Sequence, residues 1–236
     1  MSDLTVKASS DEIGLRREAG IDVAGLPIWL ARLHRALPAG TSVRISVDGQ
    51  LPLPLSTFTE GAGFRETSPD FVRELTLADL VAPGLKALVC GLNPSPASAE
   101  TGIAFGHKGN RFWPAAVAAG LVSAEFKPED ALMSDRVGFT DLAKRTTSRA
   151  SELSNAEFQA GFSRLERLLS WAKPNALIVV GLTGWRIATN RQARPGWQPD
   201  AVGGTPVYLM PNTSGLNAHE SLGSLTAHFE AALAGP

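Results

Sequence analysis

The run Leu85-Lys86-Ala87-Leu88-Val89-Cys90 leads directly into Gly91-Leu92-Asn93-Pro94. An apolar run of this length, closed by turn residues, reads as a strand buried on both faces. The same texture returns at Ala176–Val180 and at Pro206–Met210. Between and after these runs the apolar residues fall at helical spacing. Arg111–Leu121 is helix-like, Phe158–Trp171 is strongly amphipathic, and Leu222–Leu233 closes the chain. Short buried strands alternating with helices predict a three-layer α/β/α sandwich around a mostly parallel central sheet, occupying residues 77–236. Ligands of such sheets gather beyond the strand C-termini. The loops after Cys90 and Met210 lie there.

Residues 1–76 have a different character. Asp11–Ala19 is charged and reads as a helix, and Ile28–Leu37 places Leu30, Leu33, His34 and Leu37 on one helical face. Ser42–Val47 alternates Val43, Ile45 and Val47 with polar residues, the pattern of a half-buried strand. Leu51–Asp70, rich in Pro, Gly, Ser and Thr, reads as a long loop or linker. The region faintly resembles the tail of a methyltransferase-like α/β unit, without a cofactor loop. It is expected to be a small N-terminal extension, separable near Leu75.

Composition sets further bounds. Of the 236 residues, 44% are hydrophobic and 19% charged, an ordinary globular balance. No run approaches the ~20 apolar residues of a membrane span. The N-terminus lacks a basic segment followed by an apolar one, so a cytoplasmic, nucleoid-associated location is expected. Cys90 is the one cysteine, which excludes an internal disulfide and a four-thiolate metal site. With four histidines in no ligand spacing, neither a metal nor a cofactor is expected. The net charge is −1: residues 1–76 hold 8 Lys and Arg against 10 Asp and Glu, and the remainder 14 against 13. Charge alone does not point to a nucleic acid, and phosphate contacts must come from local clusters.

The first loop runs from Gly91 to Trp113 and contains Gly91-Leu92-Asn93-Pro94-Ser95, Thr101-Gly102, Phe105, His107 and Asn110-Arg111-Phe112-Trp113. The second reads Met210-Pro211-Asn212-Thr213-Ser214-Gly215-Leu216-Asn217. By composition alone both are turns, and neither has the glycine spacing of a nucleotide or phosphate loop. Their residue order resembles that of the mismatch-specific uracil/thymine DNA glycosylase family. That family carries Gly-Ile-Asn-Pro-Gly, Thr-Gly, Phe, His and Asn-Arg-Phe-Trp in the first loop, and Pro-Asn-x-Ser-Gly-Leu in the second. Gly138-Phe139-Thr140, with Arg145-Thr146-Thr147 after it, is similar to the segment between them. The resemblance spans residues 77 to 234.

The resemblance implies excision of uracil or a related mismatched or damaged pyrimidine from double-stranded DNA, by a monomer in base excision repair. The target base must leave the stack to be reached. Asn93 is implied to position the attacking water. An amide cannot take a proton, so the reaction is expected to be largely dissociative and slow. Phe105 is implied to stack on the extruded base and Asn212 to donate to a pyrimidine carbonyl, with Ser95 and Ser98 lining the pocket. Ser95 replaces the family's usual Gly beside pyrimidine carbon 5, which predicts a preference for uracil over thymine. Ser214, Gly215, Leu216 and Asn217 form the candidate wedge, Leu216 filling the vacated space and Asn217 facing the widowed base. Ala218 stands where many relatives have Arg, which weakens recognition of an opposing guanine. Lys108, Arg111, Lys144 and Arg145 are the candidate phosphate contacts, with Arg149 beside them, and Arg186, Arg191 and Arg194 form a second basic stretch. His107 reads as a structural loop residue rather than a general acid. No lysine lies near Asn93 for a Schiff base, so hydrolysis by water is expected. Two other classes remain open: a nucleoside hydrolase on a similar sheet, and a DNA-damage binder without turnover.

Overall fold

The computed structural model describes residues 4–236. β1 (Leu4–Ser10) and β2 (Leu15–Ile21) form an antiparallel hairpin, Leu4 facing Ile21 and Ser10 facing Leu15. This corrects the helix expected over Asp11–Ala19. That segment has no apolar stripe to bury as a helix, and Gly14 at φ +63° turns the chain back onto the alternating Leu4, Val6 and Ala8. Its charges stay solvated on an edge strand. α1 (Leu26–Ala36) has Pro27 in its first turn, where the missing N–H is harmless. β3 (Ser42–Asp48) then pairs antiparallel with β1.

The linker expected over Leu51–Asp70 is also corrected. It holds α2 (Leu55–Gly61) and β4 (Phe64–Glu66), and β5 (Phe71–Arg73) follows. The five strands make one antiparallel sheet in the order β2-β1-β3-β5-β4. Phe58, Phe64 and Phe71 join Leu26, Leu30, Leu33, Val43 and Ile45 in a core of this unit's own.

The second sheet comprises β6 (Ala87–Gly91), β7 (Val137–Asp141), β8 (Leu177–Val180), β9 (Gly196–Trp197) and β10 (Val207–Met210), in the order β7-β6-β8-β10-β9. All neighbours are parallel except β9, which runs antiparallel beside β10. Its helices are α3 (Pro96–Thr101), α4 (Phe112–Ala118), α5 (Pro128–Asp130), α6 (Asn155–Ala172), α7 (Leu182–Ala188) and α8 (Leu222–Ala234). Successive strand residues point to opposite faces. Leu88, Cys90, Val179 and Leu209 pack with Phe158, Leu165 and Trp185 of α6 and α7. Val89, Phe139, Ile178 and Met210 pack with Phe112, Trp113, Leu225 and Phe229 of α4 and α8. Cys90 is fully buried and burial pushes its thiol pKa up, so it is a core residue without reactivity.

A buried ionic cluster joins the two units. Asp79 accepts from Arg164 Nη1 at 2.6 Å, Lys144 Nζ at 2.8 Å and Thr140 Oγ1 at 2.8 Å, while its own N–H donates to Gly61 O. Burial acts to raise the Asp79 carboxyl, but the Arg164 and Lys144 charges, with hydrogen bonds from Lys144 and Thr140, hold it below its ordinary value. Arg164 is wholly buried and also donates to Asp141 O at 2.7 Å. Removing one partner from such a cluster strands a buried charge, at about 3–5 kcal/mol. Phe58 lies edge-on to Trp171, and Ala31 enters the core beside α6.

Candidate active site

The C-terminal ends of β6, β7, β8 and β10 open into a cavity of about 610 Å³. Three asparagines line it, and two of them stand two residues past a strand: Asn93 after β6 and Asn212 after β10. Asn93 Nδ2 donates to Thr147 Oγ1 at 2.8 Å, Pro94 O at 3.1 Å and Arg145 O at 3.2 Å. Thr147 N also donates to Pro94 O, so the 145–149 segment clasps this turn. With the amide nitrogen held, Asn93 Oδ1 is the end left to accept from a water. Asn212 is fixed the other way round. Its Oδ1 accepts from Ser214 N at 2.8 Å, which leaves Nδ2 as a donor. One amide offers an oxygen to the cavity and the other an N–H.

Phe105 lines the same cavity, at φ +54°, a conformation that is strained for a bulky side chain. Phe112 stacks on one face of its ring with centroids 4.1 Å apart, and the ring is half-buried on the cavity side. Ser95 and Ser98 also line the wall, but their hydroxyls are engaged with protein. Ser95 Oγ caps α3 by accepting from Ser98 N, and Ser98 Oγ accepts from Ser95 Oγ and Gly106 N. They shape the pocket and stitch the loop together. His107 lies exposed on the rim, and its ring makes no hydrogen bond among the described residues.

Leu216 stands 96% exposed at the tip of the second loop. The loop beneath it is rigidly held. Asn217 N donates to Ser214 O, and a Cβ at Gly215 would lie 2.7 Å from Gly109 O, so only glycine allows the two loops to approach. Asn217 Nδ2 donates back to Asn212 O at 2.9 Å, which ties this side chain into the loop.

Two of the expected phosphate contacts, Arg111 and Lys144, are also corrected. Arg111 donates to Ser214 O, Asn217 O and Glu220 O, bracing the wedge loop from below. Lys144 is a buried member of the Asp79 cluster. Arg145 stays exposed at the surface, paired with Glu157 at 2.6 Å. Lys108 remains on the exposed rim of the cavity. In each corrected case a nearby carboxylate or carbonyl, invisible in the linear sequence, captures the cation.

A family model, the uracil DNA glycosylase superfamily, matches residues 78–234. The chain belongs to the uracil DNA glycosylase superfamily. Membership supports a DNA glycosylase role, with DNA as the substrate. A solution NMR structure from Methanosarcina acetivorans, described as a candidate uracil DNA glycosylase, is 21% identical to this chain. The match covers 66% of this chain and 95% of that one, with a TM-score of 0.45.

Within this superfamily framework the cavity contains two residues that the sequence reading did not assign. Thr147, already described, relays from Asn93 to Arg149 O at 2.9 Å. Asp141, the last residue of β7, lines the cavity beside Gly91, and its carboxylate has no hydrogen-bond partner among the described residues. Burial pushes it up from 3.8 to about 6; Lys144 and Arg164 pull it down, and Asp79 pushes it further up. A Cβ at Gly91 would press on Asp141 Oδ1, so the glycine leaves room for the carboxylate in its present position. The available signal was a lone acid closing an otherwise buried strand.

Proposed function

We propose that the chain flips uracil, or a related mismatched or damaged pyrimidine, from DNA and hydrolyses its glycosidic bond with water. Neither a metal nor a lysine intermediate takes part, and the protein acts as a monomer. The observation that carries this reading is the pair of oppositely anchored amides in one cavity. Asn93 Oδ1 accepts from the attacking water, while Asn212 Nδ2 donates to a pyrimidine carbonyl, where negative charge accumulates as the base departs. Phe105 stacks on the base, at ~1–3 kcal/mol. Asp141 supplies what an amide lacks: ionised above about pH 6, it accepts the water's proton and faces the sugar cation.

The exposed Leu216 favours a duplex substrate over free nucleosides, since a wedge has work only where a base has left a stack. Single-turnover incubation with a uracil-containing duplex, with free deoxyuridine as the comparison, tests this. Release of uracil from DNA alone is expected. Release from the nucleoside at a similar rate would make the protein a nucleoside hydrolase, and tight binding without release would make it a damage binder.

A further inference from the structure

With Arg111 and Lys144 engaged internally and Arg145 paired with Glu157 at the surface, the cavity rim retains few unpaired cations for DNA. A second group lies at the edge of the same sheet end. No acidic residue falls between Glu166 and Asp200, a stretch that carries Arg167, Lys173, Arg186, Arg191 and Arg194. α6 carries Arg167 and Lys173 toward the opposite end of the sheet, where Ala172 O meets Gly84 N ahead of β6. Arg191 and Arg194 come back to the cavity end. Gly196 pairs with Leu209 and Trp197 with Tyr208, so the residues before Gly196 pass beside Met210 and Pro211, which lead into Asn212.

This turn is built rather than loose. Ala193 is buried, its N–H donates to Asn190 O at 3.0 Å, and its carbonyl accepts from Arg186 Nε at 2.8 Å. Asn190 Oδ1 accepts from Gln192 N. Arg191 and Arg194 flank this anchored residue, both exposed, and neither takes part in an ion pair among the described residues.

We propose that duplex DNA flanking the excised nucleotide lies across the β9 edge, with its phosphates held by Arg191 and Arg194. The inference rests on the glycosylase reading for its choice of polyanion. From β6, which leads into Asn93, to β9 is three strand spacings of ~4.8 Å, or about 14 Å. At ~3.4 Å per step this places the contact about four base pairs from the flipped nucleotide. Two cations held on a fixed turn add affinity and register without reading sequence.

The test measures binding of wild type and the double variant Arg191→Gln, Arg194→Gln to two duplexes over a salt series. The duplexes carry 2′-fluoro-deoxyuridine, which resists excision, and one has its flank on the β9 side cut to about two base pairs. On the long duplex the variant is expected to lose about 1.8 from the slope of log affinity against log salt, at ~0.9 per phosphate. On the duplex shortened on that side the two proteins should have equal slopes. The charge-matched variant Arg17→Gln, Lys173→Gln should keep the wild-type slope. An unchanged slope on the long duplex, or an equal loss with the charge-matched variant, overturns the proposal. Because binding needs no excision, a slope loss in a protein that never releases uracil would support this surface while refuting the proposed function.

Discussion

Replacing Asp141 with Asn separates stability from chemistry at one atom pair. The folded chain holds the Asp141 proton up to about pH 6, against an ordinary 3.8. A raised carboxyl binds its proton more tightly in the folded state, so its favourable contribution is present below 3.8 and lost as pH rises to about 6. Between 3.8 and about 6, at ~1.36 kcal/mol per tenfold change in proton binding, the ionised form becomes unfavourable by about 3 kcal/mol above pH 6. Water in the open cavity screens part of this. Asp141→Asn keeps the shape and removes the charge, so at pH 8 it should gain about 1–3 kcal/mol, or roughly 3–10 °C in Tm. At pH 4 the two proteins should melt within ~1 kcal/mol of each other. Wild-type single-turnover excision should rise with pH through about 6 and then level, while the variant is at least ~100-fold slower and flat. Thermal melts and quenched excision assays over the same pH range measure both. A variant that gains no stability at pH 8, or that keeps the wild-type pH profile, refutes the assignment of a buried, functional carboxylate.

Asn93→Ala should slow the chemical step at least ~100-fold, about 3 kcal/mol, with DNA affinity kept within a few-fold; a near-normal single-turnover rate removes Asn93 from water positioning. Leu216→Ala should impair excision from duplex far more than from single strands, and equal losses would make Leu216 a packing residue. Ser95→Gly removes the α3 cap and a wall atom, so the thymine-to-uracil rate ratio should rise at least ~5-fold; a constant ratio places the side chain wholly over the helix. A chain beginning at Leu75 loses Gly61 O from Asp79 N and Phe58 from Trp171. It should melt well below the whole protein, and a coincident melt would make the N-terminal unit dispensable.

Periodicity made α1, α6 and α8 legible, together with β3 and the buried runs of β6, β8 and β10, because each buries a face that its own residues define. β4 and β5 were not legible: strands of three residues have no period to detect, and they exist because β3 offers an edge. β2 looked helical for the same reason, its charged residues being strand only by pairing with β1.

Residue order alone places two loops rich in Asn, Ser and Gly after apolar strands, and the alternation of strand with helix sends both to one end of a sheet. Which end of each amide faces the cavity is set by packing, since it depends on Thr147 and Arg145 reaching Asn93 and on Ser214 turning onto Asn212. Tertiary structure likewise decides which cations are free, because Asp79 lies far from Lys144 and Arg164 along the chain and is brought to them by packing. A side chain's type is local information, but its charge environment is the sum of neighbours that the fold assembles.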